Sequence, residues 1–385
     1  MAAKGPLAGV RVVELGGVGP VPFCGMYLAD MGAEVIRIER PLGDDPLSRS
    51  RRQLNLLARG KRSIAMDFRN EAGRAIVQDM VRRSDIVIEG FRPGTLERLG
   101  LGPQDCLAIS PALVYGRMSG WGNEGPLARL GAHDINYLAL SGLLGAIGPH
   151  DQPYPPLNIV GDFGGALYLV AGLLCALTHA RTRGEGQVVD ASIMGGSVAL
   201  MTQLYAIHDA GEWRDQRESN WMDGGAPYYR CYATSDGGFM AVGAIEAKFF
   251  AGLVDGLGLT GEIDPRRQMD RSYWPEIAGH FTATFRTRTR AAWTKVFEEV
   301  DGCCTPVLSL DEARKHDQAR ANGMYATIGG RIEPAPQPYF SHTPAPTPQP
   351  ATPQGGDAAA ILRDLGRSLE EAEQLYRAGV VARPD

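Results

Sequence analysis

Cysteine is scarce and scattered. There are six in 385 residues, with no Cys-x-x-Cys pair and no histidine at metal-ligand spacing, so neither a structural zinc site nor a disulfide framework is expected. Cys303 and Cys304 are neighbours, a geometry ill suited to bridging one another. The thiols therefore read as small core residues of a protein in a reducing compartment. Positive charge is not in excess either: 39 Lys and Arg against 44 Asp and Glu leave a net charge of −5. Nucleic-acid binding driven by counterion release is not expected. Long apolar runs are also missing. The longest, Ala166–Leu177, has twelve residues, short of the ~20 that a bilayer-spanning helix needs. The opening MAAKGPLAGVRVVEL lacks a signal-peptide apolar region, and the chain does not finish on Ser-Lys-Leu. A cytoplasmic protein with no membrane partner is the expectation.

Three familiar motifs are absent as well. No GxxxxGK[ST] and no GxSxG occurs, which removes the phosphate-loop and nucleophile-elbow classes. Gly16-Gly17-Val18-Gly19-Pro20 comes close to a dinucleotide fingerprint, but Pro22 stands where its last glycine belongs, and Arg40 follows the acidic Glu39.

What is present is a globular composition, 44% hydrophobic, arranged in a clear rhythm. Val10–Leu15, Glu34–Ile38, Ser63–Met66, Ile86–Glu89 and Leu113–Met118 read as buried strands, and helical stretches at Pro22–Met31 and Ala72–Arg83 fall between them. Alternating β and α elements with short connections predict βαβ units and a doubly wound parallel sheet. Val188–Ile193 reads as a further strand and Met194–Gly211 as one long helix. Then the pattern changes. Arg230–Thr234 and Phe239–Ala244 flank Ser235-Asp236-Gly237-Gly238, a hairpin signal. Helices at 249–257, 273–285 and 289–299 complete a smaller α+β domain. Eight prolines lie from Pro334 to Pro353, predicting an extended stretch before a final amphipathic helix over 357–378.

Several polar residues sit where chemistry is possible. Arg40, the Arg59-Lys61-Arg62 cluster and Arg92 border predicted strand ends, where open α/β sheets bind ligands and where Arg suits phosphate. His133 and Asp134 stand at a loop-to-helix junction. Asp134 suits a helix cap, and the helix start offers amide donors for an oxyanion, with His133 beside it as a base. Asp162 opens the apolar helix, again at a cap position, with glycines that allow close backbone approach. Glu246 closes the second hairpin strand.

Taken together, GPLAGVRVVELGGVGP, MGAEVIRIERP, RGKRSIAMD, DIVIEGFRPGTLERLGLG, LVYGRMSGWGNEGP, GAHDINY, LNIVGDFGG, GQVVDASI, DGGAPYYRCY and VGAIEAKFF resemble the class III coenzyme A transferase superfamily, and within it the α-methylacyl-CoA racemase group. The motifs occur in the family's order over about residues 6–310. The resemblance implies a Rossmann-like large CoA-binding domain over 1–190 and a linker helix over 191–224. It further implies a small α+β domain over 225–325, and a Pro-rich return segment with its helix over 326–385, packing on the large domain. An interlocked homodimer acting on acyl-CoA is implied too. By the same resemblance His133 and Asp162 face the substrate α-carbon from opposite sides, and Glu246 orients His133. Amides near Asp134 hold the thioester oxygen, and Arg40, Lys61 and Arg92 contact CoA. The implied reaction interconverts the 2R and 2S forms of 2-methylacyl-CoA by 1,1-proton transfer through an enolate. No metal or separate cofactor is implied, CoA being part of the substrate. The alternative is a class III CoA-transferase in which Asp134 is the nucleophile.

Overall fold

A computed structural model describes residues 4–41 and 56–383. The chain folds into two compact units: Met1–Ser141 with Leu157–Leu200 and Asn322–Asp385, and Gly142–Pro156 with Met201–Ala321.

The first unit is built on a parallel sheet of β1 (Arg11–Leu15), β2 (Glu34–Glu39), β3 (Arg62–Ala65), β4 (Ile86–Glu89), β5 (Val114–Ser119) and β6 (Gln187–Ser192), in the order β3-β2-β1-β4-β5-β6. That order reverses between β1 and β4, the switch point of a doubly wound sheet. In register, Val12 lies opposite Val35 on one side and Ile86 on the other. The two-residue period of the strands then divides the core. Val12, Ile86, Ile88 and Val114 join one cluster with Leu28 and Leu173. These come from helices α1 (Pro20–Asp30) and α5 (Gly164–Arg183). Val13, Leu15, Val87 and Tyr115 face the other way, onto Ile76 and Met80 of α2 (Glu71–Arg82) and onto Ile361 and Leu362 near the C-terminus. A short α3 (Pro103–Ile109) precedes β5, α4 (Asp134–Ser141) follows it, and α6 (Ile193–Leu200) follows β6. The apolar stretch around α5 is longer than its uninterrupted run of apolar residues. Ile159–Arg183 is long and apolar enough, by length and composition, to cross a membrane, and here Leu169, Leu173 and Leu177 bury one face of it in the core.

The outer edge of β3 is covered by the end of the chain. Ser63 N–H donates to the Asp357 carboxylate (2.9 Å), and Asp357 N–H donates to the Ser63 carbonyl (3.0 Å). Gly355 N–H donates to Ser63 Oγ (2.8 Å), and Ala382 N–H to the Ala65 carbonyl (2.8 Å). Paired this way, the edge presents no free template to another strand. Where one amphipathic helix was expected over 357–378 there are two, Ala358–Asp364 and Leu369–Arg377. Gly366, at φ +86°, separates them. An antiparallel hairpin, Tyr325–Ile328 with Arg331–Pro334, was not expected. The rest of the proline tract carries no regular element, as its composition predicts.

In the second unit, α7 (Thr202–Asp209) is separate from α6, so the single helix expected over 194–211 is two, broken at Met201. The predicted hairpin is present as β7 (Tyr229–Ala233) and β8 (Phe239–Gly243), with Gly237 at φ +79°. It is extended by an unforeseen third strand, β9 (Cys304–Pro306). Helices α8 (Ala247–Gly256), α9 (Trp274–Phe285) and α10 (Arg290–Glu299) cover one face of this sheet through Tyr232, Phe250, Phe281, Phe285 and Trp293. Residues 142–156 belong with this unit, and Arg217 holds that loop by donating to the carbonyls of Pro149 (2.9 Å) and His150 (3.1 Å).

Ser63 Oγ is buried and serves both Glu39 and the amide of Gly355. Ser63→Ala is expected to destabilise the fold by about 1–3 kcal/mol, read as a lower urea midpoint with an unchanged slope.

Candidate active site

The site of the first unit lies beyond the carboxyl ends of β1, β4 and β5. Asp134 is the first residue of α4. Its expected role as cap to its own helix is not what the side chain does. Instead Asp134 Oδ1 accepts the backbone N–H of Asp162 at 2.8 Å, while Asn136 Oδ1 accepts the N–H of His133 at 3.1 Å. The glycine before Asp162 makes room for this contact. A Cβ on Gly161 would stand 2.1 Å from Asp134 Oδ1.

Asp162 is not a helix cap either. It lies within a π-helical turn, Ile159–Phe163, that leads into α5. Such turns widen the backbone ring by one residue and recur at functional sites. Here the turn sets Asp162 one helical step beyond Asn158, whose amide donates to Asp162 Oδ2 at 3.3 Å. Burial is the largest influence on the Asp162 carboxyl and pushes its pKa up, against the Asn158 hydrogen bond and the nearby His133 charge. Asp134 is likewise raised by burial, opposed by the Asp162 N–H. His133 itself is exposed. The imidazole and the Asp162 carboxyl thus stand within electrostatic reach, on two elements joined by one hydrogen bond.

Arg92 is exposed in the loop after β4, where Phe91 N–H donates to the buried Glu89 carboxylate at 2.7 Å. A Cβ on Gly131 would lie 3.0 Å from Arg92 Nη2, so the guanidinium rests against the loop that carries His133. Arg40 is exposed at the end of β2.

Lys61, also expected to contact CoA, is buried and already engaged. Its side chain is 1% exposed, with the ammonium 2.5 Å from Glu14 Oε2 and donating to the Pro22 carbonyl at 2.8 Å. Its neighbours in the basic cluster are also engaged. Arg59 is buried between Asp30 (2.6 Å) and Glu333 (3.4 Å), and Arg62 pairs with Glu34 and Asp364. Glu246, in the second unit, is exposed and precedes α8 without a side-chain capping bond. Half of the thiols are core residues: Cys24, Cys106 and Cys304 are buried, while Cys175 and Cys231 are exposed.

Sequence reasoning missed three residues around this site, Trp121, Tyr137 and Asn158. Trp121 packs edge-on against Tyr137 (4.7 Å, 81°), and Tyr137 Oη donates to the Ala132 carbonyl (2.9 Å), bracing the loop before His133. Phe23 of α1 stacks on Phe163 (4.7 Å, 24°). Asn158 was detectable in principle, because it precedes Asp162 by four residues, one helical turn. A separate cavity of about 900 Å³ opens in the second unit beside Tyr154, Tyr229, Cys231 and Cys303. None of the candidate catalytic or CoA-binding residues lines it.

A family model described as CoA-transferase family III matches residues 7–358. The chain belongs to CoA-transferase family III. The alpha-methylacyl-CoA racemase of Mus musculus is 44% identical over 379 residues, covering 97% of each chain. The human protein of the same name is 42% identical over 373 residues, covering 96% of each. A CAIB/BAIF family protein from Brucella suis, solved by crystallography, superposes with a TM-score of 0.79 over 94% of this chain and 100% of that one. At 24% identity it speaks for the fold alone.

In this family III chain, Asp134→Ala leaves the Asp162 N–H without its acceptor. The expected cost is about 1–3 kcal/mol with faster amide exchange at Asp162. Asp134→Asn keeps Oδ1 and is expected to preserve most of both.

Proposed function

We propose that this chain is an α-methylacyl-CoA racemase, interconverting the 2R and 2S forms of 2-methylacyl-CoA thioesters. What carries this is the 44% identity, over 97% of each chain, to a protein of that name. In support, Asp134, the residue after His133, accepts the backbone N–H of Asp162, so the elements that carry the two candidate groups are tied together.

The chemistry follows from the acidity of the substrate. An α-proton next to a thioester is weakly acidic, so its removal needs a placed base and stabilisation of the enolate oxygen. A side-chain base contributes typically about 10²–10⁴-fold, and preorganised amide donors add several kcal/mol more. His133 takes the proton from one enantiomer, and Asp162, in its acid form, returns one on the opposite face. For the other enantiomer the roles exchange. Burial of Asp162 suits this double duty, because it keeps the carboxyl protonated to higher pH than an ordinary aspartate. The amides at the start of α4 receive the thioester oxygen. Asp134 is assigned to holding the Asp162 backbone rather than to nucleophilic attack, since one of its oxygens is already engaged there. Arg92 and Arg40 are assigned to the phosphates of CoA, both being exposed at strand ends. The acid, base and oxyanion donors all come from the polypeptide, so no separate cofactor is invoked.

We assign the working form to a homodimer. Ile135, Leu140, Leu157 and Ile159 around the site are between 44% and 71% exposed, an apolar surface of the kind that partners cover. The free state of all six cysteines fits the cytoplasm.

Incubation of one enantiomer of a 2-methylacyl-CoA in D2O, without acyl acceptor, is expected to give racemisation with deuterium at C2. Absence of exchange, with acyl transfer once a free acid is added, overturns the assignment. His133→Ala and Asp162→Asn are each expected to lower inversion by at least about 10²-fold. Asp162→Asn should leave the melting temperature at pH 7 undiminished, because the amide avoids the burial cost of a carboxylate. The pH profile of kcat/KM should be bell-shaped and the same in both directions, since either direction needs one of the two groups with its proton and the other without. Its acid limb should lie above the value of about 3.9 for an ordinary aspartate, because the shift is upward.

A further inference from the structure

The start of α1 faces the Asp162 turn. Gly19 adopts φ +70° and ψ −108°, a conformation that L side chains rarely adopt. A Cβ placed there would stand 3.0 Å from Asp162 Oδ2 and 3.6 Å from its Cγ. One turn on, the Phe23 ring stacks on Phe163, the residue after Asp162. Pro20 and Pro22 carry no N–H, so this helix start turns mostly carbon toward the carboxyl instead of the usual row of donors. The same turn is fixed from beneath. The Pro22 carbonyl accepts from the buried Lys61 ammonium, which Glu14 neutralises.

We propose that Gly19 and Phe23 are positioning residues for Asp162: together they form a wall that sets where the carboxyl meets the substrate α-carbon. This rests on the racemase reading and adds to it the element that places the acid. Among the described residues the carboxyl has one modest side-chain hydrogen bond, from Asn158, so its direction depends on what it packs against. Lys61 then serves the reaction indirectly, through the helix start that it anchors.

The two catalytic groups can be read separately. His133 alone can remove the proton from its own enantiomer, exchange it with solvent and return deuterium to the same face. Inversion requires Asp162 as well. Gly19→Ala is therefore expected to lower kcat for inversion by about 10- to 100-fold, the cost of misplacing a reacting group by about 1 Å. KM and same-face deuterium incorporation into the His133-served enantiomer should stay within about threefold of wild type. Phe23→Leu, which keeps the glycine, should show the same split to a smaller extent, and it decides the matter if Gly19→Ala melts before the assay temperature. A uniform fall in inversion and same-face exchange, or wild-type values for both, overturns the proposal. A wild-type protein that neither inverts nor exchanges overturns the racemase assignment itself, before either variant is needed.

Discussion

A backbone N–H at the opening turn of a helix has no partner within that helix, and burying it unpaired is costly. In this protein the amide of Asp162 meets that constraint by reaching Asp134 at 2.8 Å. One hydrogen bond thereby ties the start of α4 to the π-turn before α5. It holds Asp162 against Asp134, the residue after His133, 28 positions earlier in the chain. Both aspartates are lifted by burial, so the contact joins two carboxyls that are each partly withdrawn from water.

Charge in the interior obeys the same economy. Arg59 and Lys61 look like ligand-facing cations because they border a strand, yet each is sealed against carboxylates from distant parts of the chain. Removing a charged group from water costs several kcal/mol unless it is paired, and these cations stay buried only because Asp30, Glu333 and Glu14 meet them. For Lys61 burial outweighs the pull of Glu14, and the ammonium pKa moves down. Arg92 and Arg40 differ by remaining exposed at strand ends.

The large sheet was legible because its central strands, β1, β4 and β5, are mostly buried and make short apolar runs, and every predicted strand of it is present within a residue or two. Helix breaks were less visible. Gly366 is an ordinary breaker that the amphipathic pattern on either side masked. At Met201 no glycine or proline marks the break, and it falls where the chain leaves the first unit for the second. The short strand Cys304–Pro306 is recognisable only through its partner β8. At the site, His133, Asp134 and Asp162 could be picked out as residue types at helix starts, but their link could not. A carboxylate that accepts its own helix's amide and one that accepts an amide 28 residues away look alike in sequence. The distinction between Lys61 and Arg92 was hidden for a similar reason, since the Glu14 and Pro22 that claim Lys61 lie 47 and 39 residues before it.

The cover over β3 has a consequence for how the molecule is made. Residues 355–382 pair with Ser63, Ala65 and Asp67, near the start of the chain. During synthesis residues up to 382 must leave the ribosome before that edge can be closed. Until then a nascent sheet waits with one side bare, while the intervening antiparallel unit already has all its strands and helices in hand. Translation order thus sets this unit to be completed after the antiparallel one, and a chain broken off before residue 355 would leave it with a sticky edge.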